Sequence, residues 1–221
     1  MSQVRVKVCG LTSVKDAELA LDAGVDAIGL VFYEPSPRCV DIETAAAIVR
    51  RVGPFVTTVG LFVDASVEQV KQVCACVPLQ LLQFHGHESP AYCEQFQRPY
   101  LKALRMKPEL DVITEIARYS SAQGILLDAY RKGVPGGTGE SFDWSRVPRT
   151  NSLSEKQSNY PPNMQAIILA GGLTSENVAE AVVTTGVYGV DVSGGIESRP
   201  GCKDRIKIQA FVAAAQRVSG G

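Results

Sequence analysis

The sequence has no hydrophobic run long enough to span a membrane and no excess of charge of either sign. Its longest apolar stretches, such as residues 27–32, fall far short of the roughly 20 residues that a membrane helix needs. Residues 1–7 mix charged with apolar side chains, which argues against a secretory signal. The 22 basic and 23 acidic residues leave a formal net charge of -1, so the basic surface typical of nucleic-acid-binding proteins is missing. We therefore expect a cytoplasmic protein that binds neither membranes nor nucleic acids.

Patterns typical of disulfide frameworks and metal sites are also missing. The chain has six cysteines among 221 residues, and a chain of this length does not need covalent cross-links to be stable. Cys74 and Cys76 are too close together for a structural zinc site, and Cys39, Cys93 and Cys202 have no evident companion ligands. We predict free thiols and no metal.

What the sequence does contain is a regular alternation of short apolar runs with longer amphipathic segments. The predicted strands are residues 4–9, 27–32, 57–63, 79–85, 100–105, 124–128, 166–170 and 188–193. The predicted helices include residues 13–23, 42–52, 66–76, 89–97, 109–119, 175–185 and 204–218. Most of the strands are apolar on both faces, as buried parallel strands are. Ser66, Ser89 and Ser175 are expected to cap helix starts, and Gly24, Gly53 and Gly186 are expected to end helices.

Eight such βα units predict an α/β fold, a single (β/α)8 TIM barrel that occupies residues 1–221 as one domain. A polar stretch near residues 146–163 is expected to be a surface excursion. The competing fold is an open doubly wound sheet, whose first βα turn often carries a G-x-G-x-x-G fingerprint. The first turn here, residues 9–12, reads Cys-Gly-Leu-Thr, so the barrel is favoured.

In a (β/α)8 barrel the reactive groups lie at the carboxyl ends of the strands, and Cys9 ends the first predicted strand. Lys7 shares a face of that strand with Cys9 because side chains alternate. Its ammonium would increase the thiolate fraction of the cysteine. The alternative is that Cys9 only fills a small apolar gap.

Asp128 ends the sixth predicted strand after a run of apolar residues. A carboxyl group carried into a semi-buried position keeps its proton more readily, and it would form a proton-transfer pair with the thiol. The alternatives are a helix cap or a salt bridge. Gln83 and His85 share a face of the fourth strand, and Asp191 and Ser193 share a face of the eighth, so these pairs are expected to converge on the same opening.

Glycine clusters follow three late strands, at residues 133–139, 171–172 and 194–195. Barrel enzymes often bind phosphate with the loops after strands seven and eight, so the last two clusters predict a phosphorylated ligand, although plain turn formation is the alternative. Arg38, in a loop stiffened by two prolines, could pair with a carboxylate or stack on an aromatic ring. His85 could instead form only local hydrogen bonds, and Trp144 is expected to pack in the core.

Several of these segments, in this order, resemble the phosphoribosylanthranilate isomerase family of the tryptophan pathway. The segments that carry the resemblance are residues 7–12 (KVCGLT), 36–38 (SPR), 83–86 (QFHG), Asp128, 136–139 (GGTG) with 142–144 (FDW), 169–173 (LAGGL) and 191–193 (DVS). They run through the whole chain, and each lies at or near the end of a predicted strand.

The resemblance implies an aldose–ketose isomerase that works without a cofactor. Its reaction is an Amadori rearrangement of N-(5-phosphoribosyl)anthranilate to 1-(2-carboxyphenylamino)-1-deoxyribulose 5-phosphate. It implies that Asp128 is the general acid that protonates the ribose ring oxygen, and that Cys9 is the general base that removes the C2 proton. Arg38 would hold the anthranilate part of the substrate.

The remaining predicted roles concern ligand binding. We assign Gln83, His85 and Asp191 to substrate binding together with Arg38. The expected phosphate-binding residues follow strands seven and eight: Gly171, Gly172, Ser193, Gly194 and Gly195. The expected partner is a small phosphorylated molecule, and the protein would be a monomer or a homodimer.

One position departs from the family pattern, and two other functions compete. The family usually reads Asp-Val-Ser-Ser-Gly-Val-Glu where residues 191–197 read Asp-Val-Ser-Gly-Gly-Ile-Glu, so Gly194 lacks a hydroxyl. The competing functions are a non-catalytic phosphate-binding barrel and another phosphosugar isomerase on the same fold. Enzymes of the second kind are expected to use a pair of aspartates for proton transfer, and a cysteine at position 9 disfavours that interpretation.

Overall fold

The computed structural model describes residues 3–129, 142–148 and 165–217. Within these ranges eight parallel strands form a closed barrel in sequence order, with β1 paired to β8. The strands are β1 (Arg5–Cys9), β2 (Ala27–Val31), β3 (Thr57–Phe62), β4 (Leu81–Phe84), β5 (Tyr100–Arg105), β6 (Gly124–Asp128), β7 (Ala166–Leu169) and β8 (Gly189–Val192). The predicted barrel is confirmed, and each observed strand lies inside its predicted range.

The helices lie outside the barrel, between consecutive strands. They are α1 (Val14–Asp22), α2 (Ile42–Val52), α3 (Val67–Cys76), α4 (Pro90–Glu94), α5 (Val112–Arg118), α6 (Val178–Thr185) and, after β8, α7 (Arg205–Arg217). A short 3-10 helix, Trp144–Arg146, lies between β6 and β7. Among the described residues, no helix is both long and apolar enough to cross a membrane.

Capping side chains explain most helix starts. The Ser66 and Ser89 hydroxyls accept hydrogen bonds from the backbone N–H groups of Gln69 and Tyr92, as predicted. Such a bond satisfies one of the donors that a helix start leaves free. The helices α1, α2 and α6 end at or just before Gly24, Gly53 and Gly186, also as predicted.

The prediction that Ser175 caps α6 is wrong. The helix begins three residues later, at Val178. Asn177 accepts a hydrogen bond from the Thr174 N–H at 2.8 Å and donates one to the Gly172 carbonyl at 2.9 Å. These two local hydrogen bonds within the loop after β7 keep residues 174–177 in a turn. The predicted ranges of α4 and α5 are longer than the observed helices. The helix α5 begins only at Val112, because Asp111 caps its start.

The alternation of side chains along each strand separates the apolar layer from the polar mouth. On β1, Val6 and Val8 are fully buried in the main core, whereas Lys7 and Cys9 point the other way. The main core lies between the strands and the surrounding helices, as in other barrels of this kind. Polar groups at the inner face of the strands are therefore concentrated at the carboxyl end of the barrel.

A two-stranded antiparallel hairpin after β8 is not anticipated by the sequence. It pairs β9 (Glu197–Arg199) with β10 (Cys202–Lys203). Glu197 and Lys203 are buried in spite of their charge. The hairpin places both side chains beside the carboxyl end of β8.

Candidate active site

A pocket opens at the carboxyl end of the barrel and gathers nearly all of the predicted site residues. The predicted residues that line it are Cys9, Arg38, His85, Asp128, Gly171, Gly172, Asp191, Ser193, Gly194 and Gly195. Gln83 is fully buried beneath this surface, in contact with His85. The thiol and the carboxyl that the sequence analysis paired thus face one opening.

Lys7 lies between Cys9 and Asp191. Its Nζ donates to Asp191 Oδ1 at 2.9 Å, and both side chains are less than one-tenth exposed. Burial acts to lower the pKa of Lys7, but attraction to Asp191 and Cys9 outweighs it and leaves the pKa raised. The ammonium therefore stays charged and fixes the orientation of both neighbours.

The Cys9 thiol is only 5% exposed, and burial raises its pKa. Lys7 and Lys203 act in the opposite direction, because a nearby cation favours the thiolate, while Asp191 adds to the increase. The effect expected of Lys7 is present, yet it only partly offsets burial. The same buried setting shields the thiolate from water once it forms.

These directions predict how the pH profile of activity responds to two substitutions. If the base is the Cys9 thiolate, kcat/KM rises as pH rises through the pKa of Cys9. Lys7→Met removes a charge that lowers this pKa, so the acid limb should move to higher pH by about one to three units. Asp191→Asn removes a charge that raises it, so the limb should move to lower pH.

The measurement is kcat/KM between pH 5 and 10 for both variants. Lys7→Met leaves a buried carboxylate unpaired and could fail to fold. In that case Asp191→Asn, which keeps the Lys7 ammonium, decides by itself in which direction the acid limb moves. Shifts in the same direction for both variants would contradict this assignment of the base.

Asp128, His85 and Gln83 form a second hydrogen-bonded chain across the mouth. Asp128 Oδ2 lies 3.1 Å from His85 Nε2, and His85 Nδ1 lies 3.1 Å from Gln83 Nε2. The side chains of Asp128 and His85 are 6% and 12% exposed. His85 thus makes the local contact with Gln83 and also reaches β6, so it is in direct contact with the proposed acid.

Two buried charged residues that the sequence analysis missed hold the segment that carries His85. Lys102 Nζ donates to the carbonyl oxygens of Phe84 at 3.2 Å and Gly86 at 2.7 Å, on either side of His85. It also pairs with Glu88 Oε2 at 2.7 Å, and both side chains are 2% exposed. A lysine in the middle of an apolar strand was the available signal, because a buried charge requires a partner.

Arg38 is oriented by Glu197, which the sequence analysis also did not single out. Its Nε and Nη2 donate to the two carboxylate oxygens of Glu197, each at 2.8 Å. Lys203 Nζ reaches the same carboxylate at 2.9 Å and the Ser193 carbonyl at 3.1 Å. Burial opposes ionisation of Glu197, but the hydrogen bond from Arg38 and the charge of Lys203 outweigh it and lower the pKa. The guanidinium plane is therefore fixed at the rim of the pocket.

Two glycines allow the backbone to approach these side chains closely. Gly10 has φ +76, and a Cβ there would lie 2.5 Å from Arg38 Cδ and 3.0 Å from Ser193 Oγ. Gly171 has φ +82, and a Cβ there would lie 2.8 Å from Asp128 Oδ1. Both positions favour glycine, because left-handed backbone strains other residues and space is lacking.

The loops after β7 and β8 lie side by side at one end of the pocket. Gly171 and Gly172 follow β7, and Ser193 precedes a 3-10 helix, Gly194–Ile196. A Cβ at Gly195 would overlap the Leu173 carbonyl oxygen, so the two loops are in close contact. The N–H groups at a helix start have no partner within the helix, and they suit an anion.

Comparison with known proteins identifies the family. The family model described as N-(5'phosphoribosyl)anthranilate (PRA) isomerase matches residues 6–214. The chain belongs to this family. A relative from Cellvibrio japonicus named N-(5'-phosphoribosyl)anthranilate isomerase is 58% identical over 219 residues, which cover 99% of this chain and 96% of that protein.

Solved structures of family members share the fold. The phosphoribosyl anthranilate isomerase of Thermotoga maritima superimposes with a TM-score of 0.85 and is 35% identical, over 97% of this chain and 99% of that one. Another phosphoribosyl anthranilate isomerase, solved in complex with reduced 1-(o-carboxyphenylamino)-1-deoxyribulose 5-phosphate, has a TM-score of 0.79 and 32% identity over the same shares.

Not every segment that resembles the family lies within the residues that the structure describes. Residues 136–139 and the glycine-rich loop around them lie outside the described residues, as does most of the polar stretch 146–163. Trp144 is partly buried and packs against the main core, as expected. No cluster of three or more potential metal ligands occurs within the described part of the family fold.

Proposed function

We propose that this chain isomerises N-(5-phosphoribosyl)anthranilate to 1-(2-carboxyphenylamino)-1-deoxyribulose 5-phosphate, with Asp128 as general acid and Cys9 as general base. As a member of its family, the chain is an isomerase of tryptophan biosynthesis. The observation that carries the assignment of roles is that Cys9 and Asp128 line one pocket from two strands that are three places apart around the barrel, β1 and β6.

The first step opens the ribose ring. Asp128 donates a proton to the ring oxygen as the bond from C1 to that oxygen breaks, and the nitrogen lone pair forms the C1=N bond of an iminium ion. The carboxylate that remains accepts a hydrogen bond from a protonated His85 Nε2, 3.1 Å away. Such a bond to an ionised acceptor is stronger than a neutral one and stabilises the charge.

The second step moves a proton from carbon to sulfur. The Cys9 thiolate takes the C2 proton, the C–H electrons form a C1=C2 bond, and the C1=N electrons return to nitrogen. The resulting enolamine becomes the ketone when the C2 hydroxyl loses its proton and C1 gains one. Lys7 contacts both Cys9 and Asp191, so it supports the thiolate before this step and keeps Asp191 oriented toward the sugar.

Arg38 would bind the anthranilate group, and the two glycine loops would bind the phosphate. Because Glu197 occupies two of its donors in the plane, Arg38 has its flat faces and Nη1 to offer, which suits stacking on an aromatic ring. The phosphate would be held by backbone N–H groups of the loops after β7 and β8, with Lys203 close behind Ser193.

The direct test is turnover of freshly made phosphoribosylanthranilate by the purified protein, followed by loss of substrate fluorescence, with chelator present and no added cofactor. We expect saturable turnover and formation of the carboxyphenylamino-deoxyribulose phosphate. Tight binding of the phosphorylated compounds without turnover would instead favour a non-catalytic phosphate-binding barrel.

The residue at position 194 provides a test of how the phosphate is held. Gly194 is the first residue of the 3-10 helix and does not have a positive φ, so a serine fits the local backbone. If backbone N–H groups bind the phosphate, Gly194→Ser should change KM by less than about threefold. A decrease in KM of about tenfold or more, the size of one hydrogen bond to a charged group, would show that a side-chain donor is missing in this chain.

A further inference from the structure

Lys203 is a buried lysine whose charge the proton-transfer steps do not use. It lies on β10 of the hairpin that follows β8, and its side chain is fully buried. Its Nζ lies 2.9 Å from Glu197 Oε1, 3.1 Å from the Ser193 carbonyl oxygen and 3.4 Å from Ser193 Oγ. Three acceptors match the three hydrogens of an ammonium group. A buried charge is unfavourable unless it has a partner, so this one requires an explanation.

Glu197 balances only part of that charge. Its two carboxylate oxygens also accept hydrogen bonds from Arg38, at 2.8 Å each. The cluster of Arg38, Glu197 and Lys203 therefore contains two cations and one anion, and it carries one net positive charge. All three side chains are largely buried, so this net charge favours an anion in the adjoining pocket.

The end of the pocket formed by the loops after β7 and β8 has no cation of its own. Within the described ranges, the residues that follow these two strands and line the pocket are all neutral: Ala170, Gly171, Gly172, Leu173, Thr174, Ser193, Gly194 and Gly195. The pocket's two arginines are Arg38, which is turned to Glu197, and Arg105 at the end of β5. Hydrogen bonds to a phosphate are stronger where positive charge supports them. At this end of the pocket, that charge has to come from behind the backbone.

The Ser193–Gly194 peptide connects Lys203 with the pocket. In a trans peptide such as this one, the carbonyl oxygen and the following N–H point in opposite directions. The Gly194 N–H therefore points away from Lys203, and both residues of the peptide line the pocket. An ammonium that donates to the carbonyl polarises the peptide and makes its N–H a stronger donor. The Ser193 hydroxyl has no hydrogen left for a ligand, because it donates to the Cys9 carbonyl oxygen at 2.9 Å.

We propose that Lys203 is the buried cation of the phosphate end of the pocket and acts on the phosphate through the Ser193–Gly194 peptide. It is a positioning residue, because its hydrogen bonds fix the loop after β8. Its charge stabilises a phosphate dianion more than a monoanion. This role deepens the proposed function and rests on its assignment of the phosphate to the loops after β7 and β8.

The charged and titratable groups that face Lys203 come from several parts of the fold. Glu197 lies on β9, Arg38 follows β2, and Cys9 ends β1. Burial lowers the pKa of Lys203 and Arg38 acts in the same direction, whereas Glu197 and Cys9 act to raise it. Asp16 of α1 faces the backbone of Lys203, whose N–H it accepts at 3.3 Å. A bound phosphate dianion would act in the same direction as Glu197 and keep the ammonium charged.

The ³¹P NMR signal of a bound phosphate reports the charge that faces it. The probe is reduced 1-(o-carboxyphenylamino)-1-deoxyribulose 5-phosphate, the compound bound in a solved family member. A free phosphate monoester has a second pKa of about 6. A nearby cation lowers such a value, so we expect the bound phosphate to titrate about one unit lower than the free compound. A bound pKa equal to the free value would overturn the proposal.

Lys203→Met removes the charge and keeps most of the side-chain volume. Glu197 remains paired with Arg38, so no carboxylate is left alone and the fold should persist. We expect the pKa of the bound phosphate to rise by about one unit. One pKa unit corresponds to about tenfold in affinity, so Kd measured by calorimetry at pH 8 should rise about tenfold. Repeating both measurements in Cys9→Ala removes the titration of the thiol.

Lys207 provides a matched control beside the same hairpin. Its Nζ donates to the backbone carbonyl of Glu197 at 2.7 Å, and the residue is exposed. Lys207→Met removes the same charge but leaves the contact between Lys203 and Ser193. Kd at pH 8 should change by less than about threefold, because solvent screens an exposed charge. Equal effects of the two substitutions would contradict a role that acts through the Ser193–Gly194 peptide.

Competitive inhibition by small anions separates the two ends of the pocket. Lys203→Met should raise the inhibition constant of inorganic phosphate about tenfold, whereas that of anthranilate should change by less than about threefold, because Arg38 keeps its partner Glu197. Equal losses for both anions would indicate general damage to the pocket and would contradict the proposal. If Lys203→Met does not fold, Lys203→Gln gives the same comparison, since its amide can donate to Ser193 without a charge.

The two levels of inference fail separately. Normal turnover combined with a bound-phosphate pKa that Lys203→Met leaves unchanged would reject the role of Lys203 and leave the proposed function intact. Absence of turnover combined with a phosphate pKa that depends on Lys203 would reject the isomerase reaction, while the assignment of the phosphate end of the pocket would stand.

Discussion

Cys9→Ala should lower kcat by about 10²- to 10⁴-fold, the range that a positioned general base contributes. The methyl group occupies less space than the thiol and leaves the Lys7–Asp191 pair in place, so the fold and the pocket should persist. The rate of fluorescence loss from phosphoribosylanthranilate measures the effect. Calorimetry with reduced 1-(o-carboxyphenylamino)-1-deoxyribulose 5-phosphate, the compound bound in a solved family member, should show affinity close to that of the wild type.

The chain offers a matched control for this substitution. Cys76 is exposed at the end of α3, and Cys76→Ala should leave kcat and KM unchanged. Near wild-type turnover in Cys9→Ala would show that another group removes the C2 proton. Loss of both turnover and product-analogue binding would point to damage of the pocket, and a Cys9→Ser variant would then separate packing from basicity.

Asp128→Asn should have an effect of similar size, about 10²- to 10⁴-fold on kcat, because an amide cannot donate a proton as an acid. The amide oxygen can still accept from His85 Nε2, so the hydrogen bond across the mouth and the stability should be retained. The same fluorescence assay measures turnover, and calorimetry measures binding of the reduced product.

Asp64 provides the control for Asp128. It forms a similar pair with His87 at 3.1 Å, but on an exposed surface. Asp64→Asn should leave turnover unchanged, and asparagine tolerates the left-handed backbone at that position, where φ is +47. If Asp128→Asn retained most of the activity, another group would have to supply the proton for ring opening, and the acid role would be wrong.

Much of the fold follows from patterns within single segments. Strand β6, for example, is a continuous apolar run that ends in Asp128, and its bounds agree with the prediction. Such runs are predictable because a strand buried on both faces must be apolar throughout. The start of α6 was not predictable, since Asn177 bonds to the loop after β7 rather than acting within its own helix.

The residues of the candidate site that stand at strand ends were also predictable from the sequence. Cys9, Asp128 and the glycine pairs stand at strand ends, and barrel geometry alone brings strand ends together. The ion pairs that support them could not be found in this way. Lys102 is buried against Glu88, and Glu197 is buried against Arg38 from another part of the chain as well as Lys203 of its own hairpin. The hairpin that carries Glu197 and Lys203 was also absent from the sequence analysis.

The sequence by itself determined the alternation of strands and helices, the closed parallel barrel, and which end of it carries the polar groups. These features depend on local periodicity and on the restricted ways in which βα units can connect. Only the tertiary structure decided that burial outweighs Lys7 in setting the pKa of Cys9, that Arg38 is held by Glu197, and that His85 contacts Asp128. Desolvation and hydrogen-bond partners depend on distances between segments far apart in the chain, and such distances exist only once the barrel has closed.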